Sequence, residues 1–173
     1  LAERRKGIYV IFYFSATGNS KYVANRLARA LDSEIVSIVD CLKNGRLSFE
    51  IQTDERVGFV FPTYAWGLPS VAQEFMQRME LHTNGSAYFY FVATFGTTPG
   101  TIGYTANQQL YARTGRKFDA RFGVKMPDTW TPMFDLTNQK KVDAKLSEGE
   151  NRLQHIITKI QTNNKQARER LTN

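Results

Sequence analysis

A junction near the start of the chain constrains the fold more than any other stretch. Gly7-Ile8-Tyr9-Val10-Ile11-Phe12-Tyr13-Phe14 is almost continuously apolar and aromatic. A strand of that composition needs cover on both faces, as the central strand of a parallel sheet has. It runs directly into Ser15-Ala16-Thr17-Gly18-Asn19-Ser20, a small, hydroxyl-rich turn. A helical pattern then follows from Lys21 to Leu31, with Val23, Ala24, Leu27, Ala28 and Leu31 on one face. Strand, tight turn and helix N-terminus together make an anion cradle. The N–H groups of the first helical turn lack intrahelical partners, and the helix dipole favours negative charge there. Ser15, Thr17 and Ser20 add hydroxyls, Asn19 adds an amide, and Gly18 lets the backbone come close.

The rest of the chain repeats the alternation. Glu34 to Val39 reads as a second strand, and Asn44-Gly45 as a turn, with a short extended piece at Leu47, Phe49 and Ile51. Val57 to Phe61 is a buried strand stopped by Pro62. Ser70 to Leu81 places Val71, Ala72, Phe75, Met76 and Met79 on one helical face. Asn84-Gly85 turns the chain into a third central strand, Ala87 to Thr94, followed by a Gly-rich loop and a helix marked by Ile102, Ala106 and Leu110. Phe118 to Met126 is the last strand. A loop over 127–138 holds Trp130, Pro132 and Phe134, and a long final helix carries Val142, Leu146, Leu153, Ile156, Ile157 and Ile160, with Gly149 as a weak point. Alternating strands and helices with long apolar strands imply an α/β domain: one parallel sheet, helices on both faces, right-handed crossovers. The 173 residues suit a single domain over 1–173, with flexible ends at 1–6 and 162–173.

Composition narrows the function classes. No apolar run reaches the ~20 residues of a membrane helix, so no membrane role is expected. Arg4, Arg5 and Lys6 precede the first apolar run as they would in a signal peptide, but that run is short, β-branched and aromatic and ends in the polar turn; it reads as a strand. Cys41 is the one cysteine, which excludes an internal disulfide and a Cys-ligated metal or iron–sulfur site and suits a reducing, cytoplasmic setting with Cys41 as apolar filler. His82 and His155 have no ligand-spaced partner, so no metal is expected. Part of the net charge of +7 sits at the ends, in Arg4, Arg5, Lys6, Lys165, Arg168 and Arg170, and suits either solvated tails or an acidic protein partner, while nucleic acid is not expected because no nucleic-acid-binding motif is present.

Ligands of open α/β sheets bind at the carboxyl ends of the strands. The loops 15–20, 62–68 and 94–100 leave such ends. The first lacks the Lys of a Walker A motif and lacks G-x-G-x-x-G, so a nucleoside triphosphate or a dinucleotide is poorly served, whereas a single terminal phosphate is well served. The second, Pro62-Thr63-Tyr64-Ala65-Trp66-Gly67, offers two aromatics for a flat ring. The third, beginning Thr94-Phe95-Gly96-Thr97, supplies backbone donors to edge such a ring. One phosphate and one flat polycyclic ring describe flavin mononucleotide (FMN).

These residues carry a resemblance. Ser15-x-Thr17-Gly18-Asn19-Ser20 resembles the FMN phosphate loop of the flavodoxin family. The segments 61–69, 93–100 and Val124-Lys125-Met126-Pro127-Asp128 resemble the flavodoxin-like domain of bacterial proteins that often fuse it to a ferredoxin domain. The resemblance implies a flavodoxin-like three-layer sandwich with a five-stranded parallel sheet in the order 2-1-3-4-5, and noncovalent FMN. It implies that residues 15–20 hold the phosphate, that Tyr64 and Trp66 flank the ring, and that backbone at Phe95, Gly96 and Thr97 lies along its pyrimidine edge. It also implies that Gly67 permits a peptide flip offering a carbonyl to the reduced ring. The function implied is electron transfer with a redox partner protein, acidic or iron–sulfur. The alternatives are an FMN-dependent NAD(P)H:quinone-type reductase and a flavodoxin-fold binding domain without flavin. No side chain reads as a catalytic acid, base or nucleophile. Typical flavodoxins are acidic; this chain is basic and has no Cys-rich ferredoxin segment, so the family's usual partners do not carry over.

Overall fold

The computed structural model describes residues 9–83, 85–127 and 138–163. Within them the chain runs β1 (Tyr9–Tyr13), α1 (Asn19–Leu31), β2 (Ser33–Ser37), α2 (Ile38–Asn44), β3 (Ser48–Ile51), β4 (Arg56–Pro62), α3 (Ser70–Arg78), β5 (Glu80–Thr83), β6 (Tyr88–Phe95), α4 (Ile102–Thr114), β7 (Ala120–Lys125) and α5 (Gln139–Gln161). The main sheet is parallel with order β2-β1-β4-β6-β7. Numbered among themselves in chain order, its five strands stand 2-1-3-4-5, the expected order.

Each face of the sheet has its own core. On one, Phe12, Phe59, Phe61, Phe89 and Phe91 pack with Ala72, Phe75 and Met76 of α3 and Ile102, Ala106 and Leu110 of α4. On the other, Ile11, Val60, Tyr90, Val92 and Phe122 pack with Val23, Ala24 and Leu27 of α1 and Leu153, Ile156 and Ile160 of α5. The central strands β4 and β6 are apolar on both sides because both sides are covered.

Three expectations change. The second strand ends at Ser37, and Ile38 to Asn44 is a helix. The Ser37 hydroxyl accepts from the Asp40 N–H (3.3 Å) and caps it, while Ile38 and Cys41, three residues apart, bury one side. The helix predicted over 70–81 stops at Arg78; Met79 turns extended, and Glu80–Thr83 becomes a strand parallel to β3, with Phe49 opposite Leu81. This second, two-stranded sheet extends the first core through Phe49 and Ile51. Gly149 is no weak point. A Cβ there would stand 3.1 Å from the Lys125 carbonyl oxygen and 3.2 Å from the Met126 sulfur, so the glycine lets α5 cross close over the end of β7. The expectations for 1–6, for Trp130, Pro132 and Phe134, and for the tail beyond 163 lie outside the described residues.

A polar clasp joins α1 to α5. Tyr22 donates to Glu150 Oε2 (2.8 Å), and Arg26 Nε donates to Glu150 Oε1 (2.9 Å) and Oε2 (3.2 Å). The hydrogen bonds from Arg26 hold the Glu150 carboxyl below the usual range. A depressed carboxyl stabilises the fold above its unfolded pKa of about 4.3, and that contribution fades as pH falls through the lower folded value. Both groups are partly exposed, so its size is below about 1 kcal/mol. Glu150→Gln is therefore expected to lower the urea midpoint slightly at pH 7, and the gap from wild type should close below about pH 4. A gap that widens in acid contradicts this account.

Candidate functional site

The main sheet changes direction between β1 and β4, and the loops leaving those two strands flank the crevice that results. The loop after β1 ends at Gly18, the N-cap of α1, which is left-handed with φ 104° and has open space where a side chain would stand. The Gly18 N–H donates to Ser15 Oγ (3.1 Å), which curls the loop over the helix start. No side chain caps α1, and no acidic residue lies in its first turn. The helix therefore presents uncapped N–H groups and an unopposed dipole at this edge, beside the exposed residues Ala16, Thr17 and Gly18.

Two side chains predicted to face the anion do other work. Ser20 is buried, and its hydroxyl shares a hydrogen bond with Thr94 Oγ1 (2.7 Å), also buried, at the end of β6. Asn19 Nδ2 donates to the Pro127 carbonyl (2.9 Å) just past β7. Both face inward because the first turn of α1 packs against neighbouring strand ends. Their contribution at the open edge is thus their backbone N–H groups.

Thr94 ties the three loops together. Its hydroxyl meets Ser20 of the first loop, and its carbonyl accepts from Thr63 N (2.8 Å) of the second. It also begins the third. Beyond Pro62 and Thr63, residues Tyr64-Ala65-Trp66-Gly67 close a tight hairpin: Tyr64 N donates to Gly67 O (3.1 Å) and Gly67 N to Tyr64 O (2.9 Å). The two central residues are left-handed, Ala65 at φ 45° and Trp66 at φ 61°. That is the backbone of a type I′ turn, in which glycine or asparagine is usual. Tyr64 and Trp66 remain exposed, Trp66 by 67%, and Phe14 meets the Tyr64 ring edge-on at 6.0 Å.

The third loop clamps the hairpin from behind. Thr101 N donates to the Trp66 carbonyl (2.8 Å). Gly100, at φ 55°, lies so close that a Cβ there would stand 2.2 Å from the same oxygen. The sequence does not signal the Asn19–Pro127 bond, and its only signal for the Gly100–hairpin contact is Pro99-Gly100 directly before a helix. The geometry also relocates the peptide able to turn. The Gly67 N–H donates to Tyr64, and the Trp66 carbonyl accepts from both the N–H and the hydroxyl of Thr101, so reversing their shared peptide loses three hydrogen bonds. The Ala65–Trp66 peptide sits at the centre of the turn and can reverse while the hairpin bonds persist.

The Thr63 hydroxyl is buried without a hydrogen-bond partner among the described residues. Among the described residues no three His, Cys, Asp or Glu side chains gather to hold a metal ion, and no helix is long and apolar enough to cross a membrane. A separate cavity of about 240 Å³ lies between β2 and α2, bordered by Glu34, Ser37, Asp40 and Cys41. Burial pushes the Cys41 thiol up in pKa, as suits a filler rather than a nucleophile.

The family model for the flavodoxin domain matches residues 10–152. The chain belongs to the flavodoxin domain family. Among solved structures it is similar to the two-electron reduced flavodoxin of Megasphaera elsdenii, at 20% identity over 70% of this chain and 89% of that one, TM-score 0.49. It is similar to the rubredoxin:oxygen oxidoreductase of Desulfovibrio gigas at 13% identity over 90% of this chain, TM-score 0.49, and spans only 37% of that protein. A third is the Trp repressor binding protein of Bacillus subtilis, at 15% identity over 84% and 97% of the two chains, TM-score 0.44. A comparison with curated proteins finds no match. As a flavodoxin domain, the chain has its three candidate loops at the strand ends around the β1–β4 crevice.

Proposed function

We propose that this flavodoxin domain binds FMN noncovalently and works as an electron carrier. The observation that carries the reading is Thr94. Its two hydrogen bonds fix an uncapped helix N-terminus, suited to a phosphate, beside an exposed aromatic hairpin, suited to a flat ring. Residues 15–20 would hold the phosphate, chiefly through backbone N–H groups with the Ser15 and Thr17 side chains at the rim. Tyr64 and Trp66 would flank the ring, and the backbone of 95–97 would meet its polar edge. FMN, when bound, supplies one- and two-electron chemistry. The protein's part is to bind, orient and shield, and no residue is assigned as a catalytic acid, base or nucleophile.

The visible spectrum of the purified protein, followed by an FMN fluorescence-quenching titration, tests the reading. Saturable quenching at one FMN per chain is expected, and a protein that takes up no FMN overturns it. Thr94→Val keeps the backbone bond from Thr63 but is expected to weaken FMN binding about tenfold, because it removes the hydroxyl tie between β6 and the first turn of α1 and leaves the Ser20 hydroxyl buried without that partner, a cost of about 1–3 kcal/mol. Anaerobic addition of NADH or NADPH then separates carrier from reductase. A carrier keeps its oxidised spectrum until a donor protein is added, whereas direct bleaching makes the protein an NAD(P)H-dependent reductase.

A further inference from the structure

The outward face of α4 differs from that of every other described helix. From Gly100 to Ala112 there is no charged residue at all, on a chain in which 23% of residues are charged. Its outer stripe instead shows Tyr104, 59% exposed, and Tyr111, 50% exposed, two turns apart, with Gln108 donating to the Tyr104 hydroxyl (2.9 Å) between them. The stripe starts where Thr101 holds the Trp66 carbonyl, so it runs away from the aromatic hairpin of the candidate site. At its far end the chemistry changes. Arg113, Arg116 and Lys117 follow there, and β7 then returns toward the hairpin end, where Arg121 donates to the Gly103 carbonyl (3.3 Å) in the first turn of α4 and Lys125 stands opposite Phe95; the single acid is Asp119, which accepts from the Phe89 N–H (2.9 Å). The segment 100–127 therefore carries net +4 of the chain's +7. Lys117 Nζ lies 5.7 Å from the centre of the Tyr111 ring, joining the neutral stripe to the basic rim. Glu80 stands 3.7 Å from Arg113 at that rim.

An uncharged centre rich in tyrosine with a rim of one charge sign is the composition of a protein-binding patch. We infer that the outward face of α4, with the basic rim running into β7, is the docking surface for an acidic electron-carrier protein that exchanges electrons at the hairpin end; this rests on the carrier reading above. Charge complementarity selects the occupant. A second copy of this chain would oppose one +4 rim with another, which repels. Nucleic acid or an anionic membrane would draw on cations within the patch itself, and its centre, Gly100 to Ala112, has none of its own.

The test uses a strongly acidic [2Fe–2S] ferredoxin as probe, with binding read from backbone amide shifts of the labelled full chain, with and without FMN. Shifts gathered over 101–117 and at Trp66 are expected, with affinity that falls as salt rises. Lys117→Glu and Tyr104→Ala should each weaken binding about tenfold. Lys43→Glu, an equal charge change on α2 at the other edge of the sheet, should weaken it about twofold or less. Equal losses in Lys117→Glu and Lys43→Glu, shifts gathered elsewhere, or no binding overturn the inference. So does binding of a DNA duplex or anionic vesicles through Lys117 in place of the ferredoxin. Amide shifts do not depend on flavin colour, so a chain that binds the probe but takes up no FMN overturns the cofactor reading and leaves the docking surface standing.

Discussion

Gly100→Ala is expected to cost about 2–4 kcal/mol of stability and to weaken FMN binding by more than about tenfold. Two effects combine at this residue. Its φ of 55° is left-handed, which strains any L side chain by about 1 kcal/mol or more. The added Cβ would also stand 2.2 Å from the Trp66 oxygen and 2.6 Å from the Trp66 Cβ, so the obstacle is backbone and the root of a side chain rather than a flexible tip. Either the hairpin or the start of α4 has to move, and both are joined through the Thr101 N–H to Trp66 oxygen bond. Gly115, at the other end of α4, separates the two effects. It is also left-handed, at φ 69°, but a Cβ there meets nothing within 4 Å. Gly115→Ala should therefore cost about 1 kcal/mol and leave FMN binding unchanged. Urea unfolding without FMN and fluorescence titration with it measure both quantities. If Gly100→Ala is no worse than Gly115→Ala in either, the clamp on Trp66 is not what holds the hairpin.

That clamp also marks where sequence reading stops. The central strands were legible because burial on both faces favours apolar and aromatic residues: Val57 to Phe61 and Ala87 to Ala93 hold only such residues apart from Gly58. The anion turn was legible because glycine and hydroxyls sit directly between a strand and a helix. The hairpin was not. Turns with two left-handed residues are usually signalled by Asn-Gly or Asp-Gly, and here the positions hold Ala65 and Trp66. Their conformation is imposed by Gly100 and Thr101, more than thirty residues away, which no local pattern reports. The inward turn of Ser20 has a similar origin: a serine beside a phosphate-type loop looks like a ligand until β6 brings Thr94 next to it. By contrast, α2 had a local signal in Ser37-Ile38-Val39-Asp40, a capping pattern hidden by the apolar run across it. The early end of α3 had no such signal. Met79 is apolar at the right helical spacing, and it is pairing with β3 that draws Glu80 to Thr83 into a strand.

Gly58→Ala is expected to cause a loss of about 3 kcal/mol or more, among the largest for a single methyl group in this chain. Gly58 in β4 stands opposite Tyr90 in β6, and a Cβ there would lie 2.4 Å from both Cζ and the hydroxyl oxygen of that ring. Tyr90 is fully buried, so the ring has no solvent to move into. Its hydroxyl has no hydrogen-bond partner among the described residues, and burial pushes its pKa far up, so it stays neutral at any working pH. Two substitutions at Tyr90 should therefore act differently. Tyr90→Phe removes an unpaired polar atom and should be neutral or stabilising by about 1 kcal/mol, but it should not rescue Gly58→Ala, because Cζ and Cε2 still obstruct the methyl group. Tyr90→Leu should be costly alone, yet it should recover part of the loss when combined with Gly58→Ala, giving a coupling of about 1 kcal/mol or more in a double-mutant cycle. Additive losses there would show that the ring is not the obstacle. The register places Thr94 four residues beyond Tyr90 along β6, about 13 Å away. Folded Gly58→Ala protein should then bind FMN as wild type does, whereas Gly100→Ala loses binding and stability together: one glycine shapes the core, the other shapes the site.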